Sequence, residues 1–282
     1  MPLLALDFGT SRTRATIVSV DDGRVQASPV LDTPTVALFG DNHIAAGEVA
    51  LMTAGVAGHV VVHGLKRLIG REPDDPLVQR ICAWHDLEAT LDHEGGLLLR
   101  GSEAPDIQLN DGLRTVFEQI NEMLLLEPEA HPTVVSVPDW YDQAQRDVIE
   151  HALADADIEV VQFIEDTTAL ALWVSRTRSG TFAIVDAGAG GVSASIVSID
   201  KRSIAIKSTA STSIQGGEDL DAGLADGAIE THGAVGRQLV RHACESMKRE
   251  LQSKESVARR IRLPGGRETI EIENWQLDLL LT

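Results

Sequence analysis

The sequence predicts an α/β fold of two lobes in which one three-stranded unit occurs twice. Residues 4–20 and 183–199 align without a gap, and each holds an apolar strand, an Asp, a Gly-bearing turn and a second apolar strand. Asp7 falls on Asp186 in this alignment. Strands and helices alternate between the two copies, which favours parallel strands covered by helices. The length of 282 residues suffices for a sizeable core and two lobes.

The first copy reads as an antiparallel meander, with strands expected at residues 3–7, 14–20 and 24–28. A turn signal at residues 21–23 separates the last two strands. A further hairpin is expected around residues 40–42. Residues 48–100 mix short helical stretches with loops, which predicts a subdomain inserted into the first lobe.

The middle of the chain alternates between helical and strand patterns. We expect helix, strand, helix, strand and helix at residues 111–126, 134–137, 142–154, 158–164 and 167–176. Pro138 ends the first of these strands. Asp142 can cap the following helix, because Gln145 stands three residues later and completes a capping box.

The second copy begins at Phe182 and repeats the meander, with a far turn at residues 201–202 and a third strand at 203–209. Beyond it we expect a helix at 236–253, a hairpin turning at 264–266 and a closing helix. We therefore divide the chain into a first lobe and a second lobe, at residues 1–176 (core 1–31 and 109–176, inserted part 32–108) and 177–282 (core 177–215, subdomain 216–282).

Composition excludes several classes of protein. The chain carries 43 acidic and 24 basic residues, a net charge of −19, whereas nucleic-acid binding depends on cationic neutralisation. Cys82 and Cys244 are far apart, which disfavours a disulfide framework or a zinc site. No apolar run reaches the length of a membrane span, and the N-terminus lacks the pattern of a signal peptide. We expect a cytoplasmic protein with no nucleic-acid or membrane partner.

The two Asp-Gly turns predict a phosphate site. Backbone N–H groups in such turns can converge on a phosphate, and Gly allows the close approach. An adjacent Asp can hold Mg²⁺ through water, and Thr10 and Ser11 add hydroxyl groups. The alternative is two hairpin turns without a ligand. The ungapped duplication, which includes both Asp7 and Asp186, favours phosphate.

Six motifs then run in order over almost the whole chain. They are LDFGTS, LKRLIGREPDDPLVQR, the stretch from VPDWYDQAQRD to IEDTTALAL, DAGAGG, GGEDLD and ACESMKREL. In this order they resemble the actin-like ATPase (ribonuclease H-like) superfamily, and within it the nucleotide-binding domain of DnaK-type 70 kDa heat-shock chaperones. The resemblance implies two βββαβα lobes around a cleft for ATP or ADP with Mg²⁺.

The resemblance also implies roles for individual residues. Lys66 would reach the transferred phosphate and the attacking water, Asp7 and Asp186 would hold hydrated Mg²⁺, and Asp166 would act with them in catalysis. Residues of the two phosphate turns, of GGEDLD and of one later helix would contact the nucleotide, namely Gly9, Thr10, Ser11, Gly188, Gly190, Gly216, Gly217, Glu245, Lys248 and Arg249. Pro138 and Arg146 resemble a switch between open and closed lobes.

Several positions depart from the family pattern near the expected reaction centre. The family usually has Asp at Ser193, Thr at Gly191, Glu at Asp166, Pro at Thr167 and Ser at Gln252. Phosphoryl transfer depends on positioning and electrostatics, so these changes can slow hydrolysis while binding survives.

Family members also continue beyond the end of this sequence with the rest of the second lobe. We therefore expect an incomplete second lobe, which would be a cut or truncated product or would be completed by a partner chain.

Three functions remain open at this point. The first is a slow Mg²⁺-dependent ATPase of the chaperone type, in which hydrolysis to ADP and phosphate is coupled to lobe closure and protein folding, with a cochaperone or nucleotide-exchange factor as partner. The second is a pseudoenzyme or fragment that binds ATP without turnover. The third is an actin-like filament former, which the motifs at residues 65–80 and 216–221 disfavour.

Overall fold

The structure is a computed structural model, and it describes residues 2–40, 43–54, 56, 58–101, 105–124, 131–201, 203–228, 234–263 and 266–281. The first half of the described chain contains β1 (Leu3–Phe8), β2 (Arg12–Asp21), β3 (Arg24–Pro34), β4 (Ala37–Gly40), β5 (His43–Ala46), α1 (Gly47–Met52), β6 (His59–Val62), α2 (Leu65–Leu68), α3 (Pro76–His85), β7 (Leu87–Leu91), β8 (Leu97–Gly101), β9 (Ile107–Gln108) and α4 (Leu109–Leu124).

The second half continues the alternation and then repeats the meander. It contains β10 (Thr133–Val137), α5 (Gln143–Ala154), β11 (Val160–Glu165), α6 (Asp166–Ser175), β12 (Gly180–Ala187), β13 (Val192–Ile199), β14 (Ile204–Thr212), α7 (Gly217–Ala228), α8 (Ala234–Leu251), β15 (Ser256–Leu263), β16 (Gly266–Glu273) and α9 (Asn274–Leu281).

The first sheet has the strand order β11-β10-β1-β2-β3. The meander β1-β2-β3 is antiparallel, whereas β10 and β11 add to the β1 edge in parallel, as expected for strands connected through helices. The apolar stripe of α4 packs on this sheet, and the rings of Phe8 and Phe117 lie 4.9 Å apart. The sheet therefore fixes the end of β1, where Asp7 stands.

The second sheet is the predicted copy of the meander, with the order β12-β13-β14. Its registers repeat those of the first copy, because Asp7 lies opposite Arg14 and Asp186 lies opposite Ser193. Helix α6 leaves β11 of the first sheet and covers one face of the second sheet, where Ala171 packs near Val197. The α/β fold with a duplicated unit is thus confirmed.

A third region follows the second copy. Helices α7, α8 and α9 and the hairpin β15–β16 share a core of their own, which includes Leu224, Val240, Met247 and Ile272. Small sheets β5-β4-β6 and β7-β8-β9 lie in the expected inserted part.

Local predictions agree with these elements and differ at some bounds. Asp142 accepts a hydrogen bond from the N–H of Gln145 (2.9 Å) and Gln145 accepts one from the N–H of Asp142 (3.1 Å), so the capping box is confirmed. Strand β3 continues to Pro34 because it pairs with β2 along its full length, and the expected boundary at residue 32 falls inside it. The lobe boundaries stay predictions.

A few predictions fall outside the described residues, namely the turn residues 41, 42, 202, 264 and 265 and the end of the helix expected to reach residue 126. Within the described part of the chain, none of the helices combines the length and apolarity that crossing a membrane requires.

Candidate functional site

A cavity of about 420 Å³ lies between the two copies of the meander. Its walls come from the first turn (residues 9–11), the second turn (residues 188–191), α2 and the start of α6. Nine of the predicted site residues line it, namely Asp7, Gly9, Thr10, Ser11, Lys66, Asp166, Asp186, Gly188 and Gly190. The structure therefore brings together residues that are up to 183 positions apart, which is the separation of Asp7 and Gly190.

The two turns approach each other closely. A Cβ atom at Gly190 would lie 2.3 Å from Oγ1 of Thr10, so a side chain at residue 190 would push the turns apart. Gly9 is constrained within its own turn, where a Cβ atom would lie 2.4 Å from the carbonyl oxygen of Arg12. The absent side chains leave backbone near the cavity, as phosphate binding by a turn requires.

Lys66 is the lysine that lines the cavity wall. The side chain is buried, and its Nζ donates a hydrogen bond to the carbonyl oxygen of Phe8. Two hydrogen bonds hold the short helix α2 in place. The Tyr141 hydroxyl donates to the carbonyl oxygen of Lys66 (2.6 Å), and the Gln145 side chain donates to that of Ile69, just after the helix (2.9 Å). These contacts fix the lysine between the turns.

Three carboxylates surround this lysine. Burial lowers the pKa of Lys66, and the charges of Asp166, Asp7 and Asp186 oppose that effect. Burial likewise raises the pKa of Asp166 and of Asp186, and the charge of Lys66 opposes both shifts. The site thus gathers one buried cation and three carboxylates at a water-accessible cavity, the kind of environment in which proton-transfer groups are tuned.

The donor set fits a hydrated metal better than a directly ligated one. Across the described ranges, no three His, Cys, Asp or Glu side chains stand close enough together to hold a metal ion. Mg²⁺ commonly keeps several waters and needs only one or two carboxylates. Asp7 and Asp186, one from each copy, match that requirement at the cavity wall.

Five predicted nucleotide contacts lie outside the cavity lining. Gly216 precedes α7 and Gly217 begins it, and both pack against the second turn, since Gly217 donates its N–H to the carbonyl oxygen of Gly188 (3.0 Å). A Cβ atom at Gly216 would lie 2.3 Å from the carbonyl oxygen of Ala189. The structure therefore places both glycines as supports of the second turn, and their contact with a nucleotide stays a prediction.

The charged trio on α8 also sits apart from the cavity. Lys248 pairs with Asp221 (2.7 Å) and donates to the carbonyl oxygen of Gly217 (2.7 Å). Arg249 pairs with Glu245 (2.6 Å) one helical turn away. Lys248 thereby supports the start of α7, and the expected contacts of Glu245, Lys248 and Arg249 with the nucleotide stay predictions.

Sequence reasoning missed several cavity residues, among them Arg14, Arg67, Arg71, Ser136 and Tyr141. Arg14 could have been found, because a short hairpin turn after Asp7 places it directly across the strand pair. The other four are brought to the cavity by long-range packing, for which no local periodicity gives a signal.

Three arginines, one in α2, one in α3 and one between them, contact the segment that follows β14. Arg67 donates to the carbonyl oxygen of Ser213 (3.0 Å) and to Asp219 (2.8 Å). Arg71 donates to Oγ of Ser213 (2.7 Å), and Arg80 lies 3.2 Å from Asp219. The Arg67 side chain is only 2% exposed, so its part of this seam is a buried charged contact, whereas Arg80 is 41% exposed.

One of the two expected switch residues lies on the wall of the cavity. Pro138 lines it, and Arg146 pairs with Glu165 (2.8 Å), the residue before Asp166. The hydrogen bond from Arg146 holds the pKa of Glu165 below its usual value. Asp166 thus faces Lys66, while the neighbouring Glu165 engages the switch arginine.

Thr167, which departs from the family pattern, connects the loop after β10 to strand β13 through side-chain hydrogen bonds. It donates to Asp139 (2.8 Å) and lies 3.1 Å from Oγ of Ser195 in β13. Ser193, the other main departure, is buried on the same strand.

Comparisons with known proteins agree with this geometry. A family model described as Hsp70 protein matches residues 3–268. The heat shock cognate HSP70 protein of Trypanosoma brucei brucei is 25% identical over 88% of this chain and 40% of its own length. The chaperone protein DnaK of Anaplasma marginale is 23% identical over 89% of this chain and 41% of its own length.

A third relative, the chaperone protein HscA homolog of Acidithiobacillus ferrooxidans, is 29% identical over 82% of this chain and 38% of its own length. The chain therefore spans about 40% of the length of the curated relatives it matches. Because the family model covers nearly all of the sequence, the predicted resemblance is confirmed, and the chain belongs to the Hsp70 family.

Proposed function

We propose that this chain binds ATP and ADP with Mg²⁺ between its two sheets, as the nucleotide-binding part of an Hsp70-type chaperone. The observation that carries the proposal is that both Asp-Gly turns and Lys66 line one and the same cavity. Its volume of about 420 Å³ falls within the range of small-molecule sites.

The proposed binding mode assigns each wall a task. Backbone N–H groups of the two turns and the hydroxyls of Thr10 and Ser11 would bind phosphate oxygens. Asp7 and Asp186 would accept hydrogen bonds from the waters of the metal. Mg²⁺, when bound, would offset the negative charge of the phosphates.

Hydrolysis would use the buried lysine and the carboxylate beside it. Lys66 would orient the attacking water, and Asp166 would accept a proton from it, since a raised pKa makes a carboxylate a better base. The cross-lobe contacts of Arg67 and Arg71 would rearrange when the lobes close, which would couple turnover to the conformation of the whole chaperone.

Binding without turnover is the second candidate. It is favoured by the hydroxyl of Ser193 opposite Asp186, where the family usually supplies a carboxylate. The engagement of Lys66 with the carbonyl oxygen of Phe8 points the same way. The family match favours the chaperone class over an actin-like filament former.

Partners and location follow from the class and belong to the same proposal. A cochaperone, a nucleotide-exchange factor or a completing chain would be the partner, and the cytoplasm would be the location. These partners would act on a protein of the length of the matched relatives, which are more than twice as long as this chain.

Titration calorimetry with ATP and ADP, with and without Mg²⁺, tests binding. We expect saturable binding in Mg²⁺, and its absence in a folded protein would overturn the proposal. A single-turnover assay on wild type, Lys66→Ala and the exposed control Lys254→Ala then separates the two candidates. Phosphate release that Lys66→Ala abolishes supports the ATPase, and binding without release in wild type supports the sensor.

A further inference from the structure

A row of polar residues crosses the first sheet at the cavity edge. Ser136, Asp7, Arg14 and Asp32 are direct partners on the neighbouring strands β10, β1, β2 and β3. Residues paired across strands present their side chains on the same face of the sheet. Arg14 therefore stands beside the carboxylate that we assign to the hydrated metal.

The guanidinium of Arg14 is only loosely engaged. Its Nη1 lies 3.5 Å from Oδ2 of Asp7 and its Nε lies 3.5 Å from Oδ2 of Asp32, beyond the usual length of a hydrogen bond. Asp32 is held more tightly by Arg12, which donates to both its carboxylate and its carbonyl oxygen. The N–H fork of Arg14 is thus available to a stronger acceptor.

Arg14 also has access to the cavity. It lines the cavity wall, and 53% of its side chain is exposed. The equivalent row of the second copy runs Asp186, Ser193 and Ser211 and contains no cation. A positive charge therefore enters this part of the cavity from one copy only.

We propose that Arg14 is a phosphate-binding residue of the cavity, a cation tethered beside Asp7 that lets nucleotide bind without a divalent metal. The inference rests on the proposed function and adds a protein-supplied charge to it. A guanidinium presents paired N–H donors that match phosphate oxygens, and such charge-assisted hydrogen bonds are about twice as strong as neutral ones.

The tethered cation changes how binding depends on the metal. Where neutralisation comes from Mg²⁺ alone, chelation removes most of the affinity. Where Arg14 supplies part of it, the ratio of the dissociation constant in EDTA to that in Mg²⁺ stays small. Removing the arginine should raise this ratio, because Mg²⁺ alone then neutralises the phosphate charge.

The test compares ADP affinity by titration calorimetry in Mg²⁺ and in EDTA for wild type, Arg14→Ala, Arg14→Lys and Arg100→Ala. Arg100 is a matched control, since it lies on a strand outside the cavity, is 54% exposed and pairs with one aspartate, Asp106 (3.2 Å). We expect Arg14→Ala to raise the EDTA-to-Mg²⁺ ratio roughly tenfold, the loss of one charge-assisted contact.

The remaining variants sharpen the reading. Arg14→Lys should give an intermediate ratio because it keeps the charge and loses the fork, and Arg100→Ala should match wild type. Thermal unfolding checks that each variant folds, and if Arg14→Ala does not, Arg14→Lys carries the comparison. An unchanged ratio in the Arg14 variants, or wild-type binding seen only in Mg²⁺, overturns this inference alone. No binding even in Mg²⁺ overturns the proposed function and the inference with it.

Discussion

The two copies of the meander share a backbone register and differ in charge. In the first copy the cross-strand row that begins at the cavity aspartate reads Asp7, Arg14 and Asp32, and in the second it reads Asp186, Ser193 and Ser211. The turn and its aspartate are thus common to both, while the strands beside them have diverged. The two copies therefore share one backbone frame, and the residues paired across the strands give their cavity aspartates different neighbours.

The neighbours of the two copies differ as well. The first sheet adds β10 and β11 beside β1, whereas within the described residues β12 is an edge strand. Val185 and Ile196 of the second copy are 64% and 42% exposed, while Leu6 of the first copy is 1% exposed. The same strand pattern therefore reaches different burial, because burial depends on what packs around it.

The strongest way to break the comparison is to remove the contact between α2 and the segment that follows the second copy. We expect Arg67→Ala to lower the free energy of unfolding by about 3 kcal/mol, because Asp219 and Glu218 each lose one of two cations and keep only Arg80 and Arg241. Urea unfolding measures this loss. Arg114→Ala, which removes an exposed helical ion pair, should cost at most about 0.5 kcal/mol. Equal losses in the two variants would contradict the buried seam.

A second way is to disturb the support of the second turn. Gly216→Ala forces a Cβ atom against the backbone of Ala189, Gly190 and Gly191, so we expect a loss of about 1–3 kcal/mol. At Gly227, inside α7, a Cβ atom would meet only Nε2 of Gln276 at 3.8 Å, so Gly227→Ala should be neutral or stabilise by up to about 1 kcal/mol. Chemical denaturation of both variants decides, and a harmless Gly216→Ala would refute the tight packing.

The charge difference between the copies is sharpened by neutralising each aspartate in turn. We expect Asp186→Asn to weaken ADP binding in Mg²⁺ roughly tenfold, since no cation stands opposite Asp186 to replace the metal contact. Asp7→Asn should cost less, because it releases Arg14 toward the phosphates. Calorimetry in Mg²⁺ measures both, and a larger loss for Asp7→Asn would reverse the assignment.

The smallest expected effect concerns the ion pair between Arg146 and Glu165, the residue before α6. Helix α6 connects the first sheet to the second. The pKa of Glu165 lies below its usual 4.5, chiefly through its hydrogen bond from Arg146, so the pair stabilises the fold above pH 4.5. Glu165→Gln should cost about 0.5 kcal/mol at pH 7, given partial exposure. Because protonation of Glu165 removes the same contribution, the difference from wild type should shrink as the pH falls below 4.5. Urea unfolding of wild type and Glu165→Gln at pH 7 and at a pH below 4.5 measures this difference in stability.

Much of this fold could be predicted because its signals are local. The capping box of Asp142 and Gln145 and the repeated Asp-Gly turns are short patterns, and the structure reproduces them. The packing of α2 was out of reach, since Tyr141 contacts Lys66 across 75 positions and Arg67 contacts Asp219 across 152. Gly216 belongs to the GGEDLD motif, but only the structure showed that the backbone of the second turn occupies the space that a side chain at residue 216 would need.

The hydrogen bond from Tyr141 gives the protein a built-in optical reporter. Tyr141 is the single tyrosine of the chain, so any phenolate absorbance signal comes from this one position. Burial raises the pKa of its phenol well above the usual 10, and the hydroxyl rests on the carbonyl oxygen of Lys66. An alkaline absorbance titration would therefore follow the burial of Tyr141 without a label, and ionisation at the usual pKa of a phenol would show that the side chain has become exposed.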